Sequence, residues 1–439
     1  MRRALLLLIY NLVLPVAFVL LFPAWLLKML RRGGYGSGLR ERLGMYRCAA
    51  AGERRGGIYI HAVSVGEVMI AQKLIATWRQ ADASKHFVLA ATTATGHAVA
   101  RQAAQENVRL IYAPLDFPFL IGRCLKRFGP EQVVLVESEV WPNLVVMARK
   151  RGIGVSLVNA RLSARSERRY AAVRRWVGEI LCLLGPVGVQ EPGDVARWRN
   201  LGVAAEHLHL TGSIKFDPAG AVVPQRRAEF AAMLDAFGAG RPVVLAASTH
   251  AGEERWIGEA VARLAGPALL VVVPRHAERR AEVKADLQAA GYEVVLRSEF
   301  SAPAEPQRAC LLVDSTGELR DWTAHASAVV IGKSILGYGG QSPVEAVLAG
   351  VPVICGVHME NFAALLALLD AAAAVSRITC QHDLEQALRR VLGDAGAGMV
   401  ARAREVLARH AGATRRSVEM LETRRVEEAR GAGIFSADE

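Results

Sequence analysis

Short apolar runs rich in valine, isoleucine and leucine alternate along this chain with segments of helical spacing, and the alternation repeats twice. Runs of four to eight such residues bounded by turn signals read as fully buried strands. In the first half they fall at 58–61, 87–91, 109–112, 133–137, 155–159, 187–190 and 207–211. Helical spacing fills 68–79, 117–128, 142–151 and 192–201 between them. Strands that alternate with helices and are apolar on both faces predict a doubly wound, mainly parallel sheet.

The pattern breaks in the Pro/Gly/Ala stretch 217–224, which reads as a linker. It resumes with a helix at 226–237 and strands at 243–247, 269–273, 294–296, 310–313, 329–331 and 353–354. A charged helical tail closes the chain from 399 to 430. At 439 residues the chain exceeds what one core usually holds. The division expected is a membrane anchor at 1–30, a first Rossmann-like domain at 31–217 and a linker at 218–225. A second such domain, with the terminal helix, occupies 226–430, and a tail follows at 431–439. Two Rossmann-like domains facing each other across a cleft are the favoured architecture.

The anchor rests on the absence of any charge from Ala4 to Leu27, about the length needed to cross a bilayer core. Arg2 and Arg3 precede it, while Lys28, Arg31, Arg32, Arg40 and Arg42 follow. The heavier positive flank lies on the carboxyl side, so the body is expected on the cytoplasmic side. A cleaved signal peptide needs a shorter apolar core and a small-residue cleavage site, and neither is evident. Asn11, Pro15 and Pro23 interrupt the segment, which also admits a helix lying in the interface. The expectation is a spanning or deeply embedded helix, with the basic stretch 31–55 over anionic headgroups.

The 54 Lys+Arg exceed the 42 Asp+Glu by 12, which calls for an anionic partner without naming it. Nucleic acid is disfavoured: the basic residues are not interleaved with stacking aromatics, and no helix-turn-helix is seen. The six cysteines are widely spaced, with no CxxC pair, and read as reduced, partly buried thiols.

Chemistry concentrates at strand ends. His61-Ala62-Val63-Ser64-Val65-Gly66-Glu67 reads as strand, tight turn and helix, with a carboxylate in the first helical turn. Open α/β sheets bind ligands at the carboxyl ends of their strands. Glu67 there suits a substrate-facing carboxylate; it equally suits a glutamate that only complements the helix dipole, worth ~0.3–1 kcal/mol. Thr92-Thr93-Ala94-Thr95-Gly96 and Asn159-Ala160-Arg161-Leu162-Ser163 follow other strands. Val136-Glu137-Ser138-Glu139-Val140-Trp141-Pro142 puts two carboxylates after a buried strand, where a charge is costly unless paired or solvated. Glu137 is the better candidate, since Glu139 also suits the start of the next helix. Lys215, in Thr211-Gly212-Ser213-Ile214-Lys215-Phe216-Asp217, suits an anion contact or a solvated linker lysine.

In the second half, four turns open helices: Ser248 to Glu254, Val273 to Arg279 with Arg275, Ser315 to Leu319, and the glycine-rich Gly337 to Glu345 with Pro343 near its helix start. Helix N-termini bind phosphate through free N–H groups and the dipole. Four together, with an arginine, point to a nucleotide-phosphate site. No Walker A, GxGxxG or GxSxG motif is present. His250 with Glu253 and Glu254 lacks a second histidine on its face, so no metal site is expected, and His61, His276 and His358 read as structural.

The ordered series of these segments, with the anchor, resembles the 3-deoxy-D-manno-octulosonic acid (Kdo) transferases over nearly the whole chain. The resemblance implies a glycosyltransferase B-type fold, CMP-Kdo as donor and lipid IV-A, the lipid A precursor, as acceptor at the inner membrane. It implies inverting, metal-independent transfer with no cofactor. By resemblance Glu67 matches the general base, and Glu137 and Lys215 match transition-state stabilisers. Pro274 and Arg275, then Thr316, Gly317 and Glu318, then Ser342, Pro343, Val344 and Glu345 match the CMP-contacting segments. The chain departs from the family pattern in three places: Gly332-Lys333-Ser334 for Gly-Gly-Ser, Gly339-Gly340-Gln341-Ser342-Pro343-Val344-Glu345 for Gly-Gly-His-Asn-Pro-Leu-Glu, and His358-Met359-Glu360-Asn361-Phe362 for His-Thr-Phe-Asn-Phe. The alternatives are a related B-type enzyme using a UDP-sugar, discriminated by a donor panel, and a non-catalytic anionic-lipid or nucleic-acid binder, discriminated by salt-dependent binding without transfer.

Overall fold

The computed structural model describes residues 2–32, 37–46, 56–103, 106–162, 164–219, 223–264 and 266–434. They form two compact units: one of residues up to Ala219 together with those from His410 onward, the other from Gly220 to Arg409.

The first unit carries seven strands: β1 (Ile58–Ala62), β2 (Phe87–Ala91), β3 (Val108–Tyr112), β4 (Gln132–Val136), β5 (Gly154–Ala160), β6 (Val187–Val189) and β7 (Leu208–Leu210). Their order is β3-β2-β1-β4-β5-β6-β7, all parallel. The second unit carries β8 (Val243–Thr249), β9 (Leu269–Pro274), β10 (Glu293–Leu296), β11 (Ala309–Leu312), β12 (Ala328–Ile331), β13 (Val353–Cys355) and β14 (Ser376–Arg377). Their order is β10-β11-β9-β8-β12-β13-β14, again all parallel. The alternation in the sequence thus yields the α/β architecture expected of it. The two-residue β14 was not legible, being too short for any pattern.

Every residue of β1, β2, β4 and β5 is buried, because helices cover both faces of the sheet. Successive side chains enter different cores: Tyr59, Val133 and Leu135 on one face, Ile58, Ile60, Val134 and Val136 on the other. Order reverses between β1 and β4 in the first sheet and between β8 and β12 in the second. Those switch points are where ligands bind in such sheets.

Three expectations are corrected. The terminal helix Ala413–Ile434 does not belong with the second domain but packs on the first. Val418, Met420 and Leu421 enter the first unit's core, and Trp78 Nε1 donates to Glu422 at 2.8 Å. Its start is fixed by Asp217, whose carboxylate accepts from Gly412 N (2.9 Å), Thr414 N (2.7 Å) and Thr414 Oγ1 (2.6 Å). An apolar stripe on a helix says that it must be covered, not by which sheet. The helix runs to Ile434, past the expected tail boundary, and 435–439 lie outside the described residues.

Second, β4 ends at Val136, one residue before Glu137, which takes a left-handed backbone with φ 60°. Third, Arg42 does not face headgroups: it is buried, with its guanidinium 4.5 Å from the Tyr112 ring centroid. Residues 33–36 and 47–55 of that basic stretch, and Cys48, lie outside the described residues. Among the described residues one helix, Arg2–Arg32, is long and apolar enough to cross a membrane by length and composition.

Candidate active site

In the first unit the candidate residues gather at the β1/β4 switch point. Ser64 caps the helix Val65–Ala81: its hydroxyl accepts from Glu67 N at 3.2 Å. Glu67 completes a capping box by accepting from Val63 N at 2.8 Å and Ser64 N at 3.3 Å. Both readings of Glu67 therefore meet in one residue, since it shapes the turn and also lies at the strand's carboxyl end. Burial pushes its carboxyl up to about 7 against the pull of the Val63 and Ser64 bonds, and the charges of Glu137 and Glu139 add to the rise.

Glu137 leaves β4 with its amide bound to Val158 O at 2.9 Å. A left-handed, non-glycine backbone stores strain of order 1–3 kcal/mol and is held only where the surroundings fix it. Burial raises its carboxyl, opposed by the charges of Lys215 and Arg161. Burial lowers the Lys215 ammonium, opposed by Glu137. Glu139 also stands above the ordinary range, through burial and then Glu137. Three carboxylates and two cations thus share one electrostatic neighbourhood, and Glu67, Glu137 and Lys215 are brought together.

Residues to which the sequence assigned no individual role hold this group in place. Asn159, fully buried and left-handed at φ 55°, accepts from Ile214 N at 2.8 Å and Ser213 Oγ at 3.4 Å, fastening the loop that carries Lys215. Lys73, from the helix that Glu67 begins, donates to Ile214 O at 3.3 Å and Lys215 O at 3.4 Å. Asp116 accepts from Asn143 N (3.0 Å) and Leu144 N (2.9 Å), the first amides of the helix after Glu139. An apolar cavity of about 180 Å3, lined among others by Leu6, Ser138, Val140, Tyr170 and Trp198, opens beside the Glu137–Trp141 loop. His61 is buried, and its ring stacks near Tyr59 and tilts against Trp141 at 5.9 Å.

In the second unit, parallel strands deliver the four expected turns to one edge of the sheet. Pro274 ends β9 and is buried; Arg275 follows, exposed, with its amide bound to Thr249 O at 3.0 Å. Thr316 and Gly317 are exposed, and Gly317 has φ 85° with nothing within 4 Å of an added Cβ. Glu318 is committed to neighbours: it accepts from Ser315 Oγ at 2.5 Å and from Arg297 at 3.4 Å. Ser342 accepts from Val344 N at 3.3 Å; Pro343 precedes the short helix Val344–Ala349, and Glu345 lies in its first turn.

The conspicuous acids of the Ser248–Glu254 turn serve the scaffold. Glu253, fully buried, accepts from His250 N (3.0 Å), Lys333 N (2.7 Å), Ile335 N (3.1 Å) and Leu336 N (3.3 Å), tying the loop after β12 to the helix after β8. Glu254 pairs with Arg279 at 2.8 Å. The three departures from the family pattern form one connected structure. Gly340 N donates to Lys333 O at 3.0 Å, His358 N to Ser334 O at 3.0 Å, and Gly339 N to Glu360 at 2.7 Å. Glycine suits position 340, where the backbone is left-handed at φ 67° and an added Cβ would meet the Met359 side chain. Lys333 takes φ 55° where the family pattern has glycine, and its charge lowers the His250 imidazole, after burial.

Among the described residues no group of three or more His, Cys, Asp or Glu is placed to hold a metal ion.

Comparison with known proteins places residues 37–218 in the family model for 3-deoxy-D-manno-octulosonic-acid transferase (kdotransferase). The 3-deoxy-D-manno-octulosonic acid transferase of Bordetella pertussis is 35% identical over 416 residues, covering 91% of this chain and 95% of its own. That of Haemophilus influenzae is 31% identical over 404 residues, covering 88% and 91%. The crystal structure of UDP-GlcNAc 2-epimerase from Neisseria meningitidis, 12% identical, aligns over 83% of this chain and 99% of its own with a TM-score of 0.50. That likeness concerns the fold alone, the glycosyltransferase B-type arrangement of two parallel α/β units.

Proposed function

We infer that this chain, which belongs to the Kdo transferase family of glycosyltransferases and transfers Kdo, takes it from CMP-Kdo and passes it to lipid IV-A with inversion and without a metal ion. The observation that carries the reading is Glu67: a carboxylate at the β1/β4 switch point, pushed to about 7. General bases work best with a pKa near the operating pH.

In the proposed reaction, an acceptor hydroxyl attacks the anomeric carbon of Kdo while Glu67 takes its proton. The bond from that carbon to the CMP oxygen breaks, its electron pair leaving with the phosphate. Charge in the sugar spreads in an oxocarbenium-like state, as in glycoside hydrolysis. Glu137, whose carboxyl is raised by burial against the opposing charges of Lys215 and Arg161, stabilises the positive sugar, and Lys215 offsets negative charge. On the second unit, Pro274, Arg275, Thr316, Gly317, Glu318 and the segment Ser342 to Glu345 hold CMP. Arg275 and the exposed amides near Gly317 receive the phosphate charge in place of a metal. Glu318, given its bonds to Ser315 and Arg297, acts by shaping its turn.

The apolar cavity beside Ser138 and Val140 supports a lipid acceptor, since it offers an acyl chain room next to the reacting groups. The apolar N-terminal helix holds the chain at the inner membrane, with the body on the cytoplasmic side. Incubating the full chain with CMP-Kdo and lipid IV-A, followed by mass spectrometry of the lipid, tests the reading. The expected product is heavier by one or more Kdo units. Transfer from UDP-sugars but not from CMP-Kdo would overturn it.

A further inference from the structure

We propose that the N-terminal helix lies in the plane of an anionic membrane surface, clamped lengthwise to the first unit, with the basic segment 168–176 docking beside it. The inference rests on the membrane reading above and departs from the expectation of a spanning helix.

The helix Arg2–Arg32 does not leave the body at its end; it runs along it. Arg3 Nε donates to Glu179 O at 2.9 Å, and Leu6 and Leu7 pack on the first unit's core. Tyr10 OH donates to Asp116 at 3.0 Å. Asn11 and Asn143 exchange amide bonds at 3.2 and 2.8 Å, which explains an asparagine in so apolar a segment. Phe18 meets Phe117 edge-on at 5.9 Å. Contacts from Arg3 to Phe18 cover about 22 Å of helix at 1.5 Å per residue. The remainder to Arg32 reaches about 21 Å, short of the ~30 Å hydrocarbon core. A helix held this way has too little free length to cross a bilayer while its first half lies on a solvated body.

The opposite face stays apolar and uncovered. Leu5, Leu8, Leu12, Val16, Val19 and Leu20, at helical spacing, are 47–74% exposed. An apolar stripe of this extent marks an interaction surface, and the charge beside it selects the partner. The helix Arg174–Leu181 lies against the N-terminal helix, where Arg3 reaches Glu179, and Leu6, Ile180 and Leu181 line one cavity. It begins at an exposed group of Arg168, Arg169, Arg174 and Arg175 with Val173 and Trp176. An apolar stripe flanked by arginines and a tryptophan is the composition of a helix lying at the headgroup level. Because Asp116 and Asn143 also fix the start of the helix after Glu139, the docked helix holds the Glu67–Glu137 site beside the leaflet.

The test uses the full chain with Cys48, Cys182 and Cys380 changed to serine. Single fluorescent labels are introduced by Leu5→Cys, Leu12→Cys and Val19→Cys. On phosphatidylethanolamine/phosphatidylglycerol vesicles, spin-labelled lipids report depth. All three labels are expected at one shallow depth; a progression from one headgroup region through the bilayer centre overturns the proposal. Arg174→Ala with Arg175→Ala should weaken vesicle binding by about 25-fold, at about five-fold per arginine near an anionic surface. The loss should vanish on phosphatidylcholine, and unchanged binding to the anionic vesicles removes the basic segment from the surface. Kdo transfer to detergent-dispersed lipid IV-A, measured on the same proteins, shows that they are folded. Its failure in the unsubstituted chain would sink the functional reading and leave the depth result standing.

Discussion

Replacing Glu67 by Gln separates the two roles that this residue combines. Glutamine suits the third position of a capping box, and its carbonyl oxygen still accepts from Val63 N. Turning a charged acceptor into a neutral one costs roughly 1 kcal/mol. Against that stands the buried charge: a carboxyl lifted from 4.5 to about 7 has an ionised form disfavoured by about 3 kcal/mol, at 1.36 kcal/mol per unit. The folded state holds this proton more tightly than the unfolded chain. Its contribution to stability is therefore complete below pH 4.5 and is lost as pH rises through about 7. Glutamine does not titrate, so the variant gains on the parent across that window. At pH 8 it should be more stable by about 2 kcal/mol, some 4–8 °C for a unit of this size.

Activity should move the other way. Loss of a general base lowers turnover by ~10²–10⁴-fold, with CMP affinity unchanged by calorimetry. In the parent, kcat/KM should rise with pH through about 7, because the base must be ionised. Ser64→Ala supplies the contrast: it loses the hydroxyl cap, about 1 kcal/mol, and keeps the carboxylate. A Gln variant within tenfold of the parent would refute the assignment. So would a loss of activity accompanied by a fall in melting temperature at pH 8, since the carboxylate would then matter only as a cap.

Arg275→Ala should weaken CMP binding by about 10- to 100-fold, the worth of one charge-assisted hydrogen bond, with little change in melting temperature because the side chain is exposed; equal affinity removes Arg275 from the site. Glu253→Ala strips an acceptor from four backbone N–H groups, and should cost about 3 kcal/mol or more in chemical denaturation; a cost below 1 kcal/mol would refute its part in holding the loop after β12. Asp217→Ala should free the start of the terminal helix at a cost of about 1–2 kcal/mol, read as faster hydrogen exchange from Ala413 onward; unchanged exchange would show that apolar packing alone seats the helix.

The sites were legible to different depths. The strand ends at His61, Val136 and Asn159 were marked by apolar runs stopping at polar residues, so Glu67 and Glu137 could be named from the sequence. The motif acids Glu253, Glu254 and Asp217 were equally visible, but their work as acceptors for distant backbone amides was not. Position along a strand signals that a carboxylate is unusual; only its partners decide whether it faces substrate or scaffold. Lys73 and Asp116 carried almost no signal, because each acts on a segment far away in sequence, and Asn159 was visible only as a strand end, not as the acceptor for Ser213 and Ile214.

By itself the sequence determined the two parallel α/β units, because buried strands and covering helices impose periods that residue types must obey locally. It also determined the ordered motifs that carry the family resemblance. The tertiary structure decided which groups share a field at the β1/β4 switch point, which sheet receives the terminal helix, and that the apolar first helix is held against the body by Tyr10 and Asn11. The first brings together groups 70 and 78 positions apart, and the other two rest on bonds across more than 100. Side-chain periodicity acts over one or two turns of chain, so no local pattern can encode them.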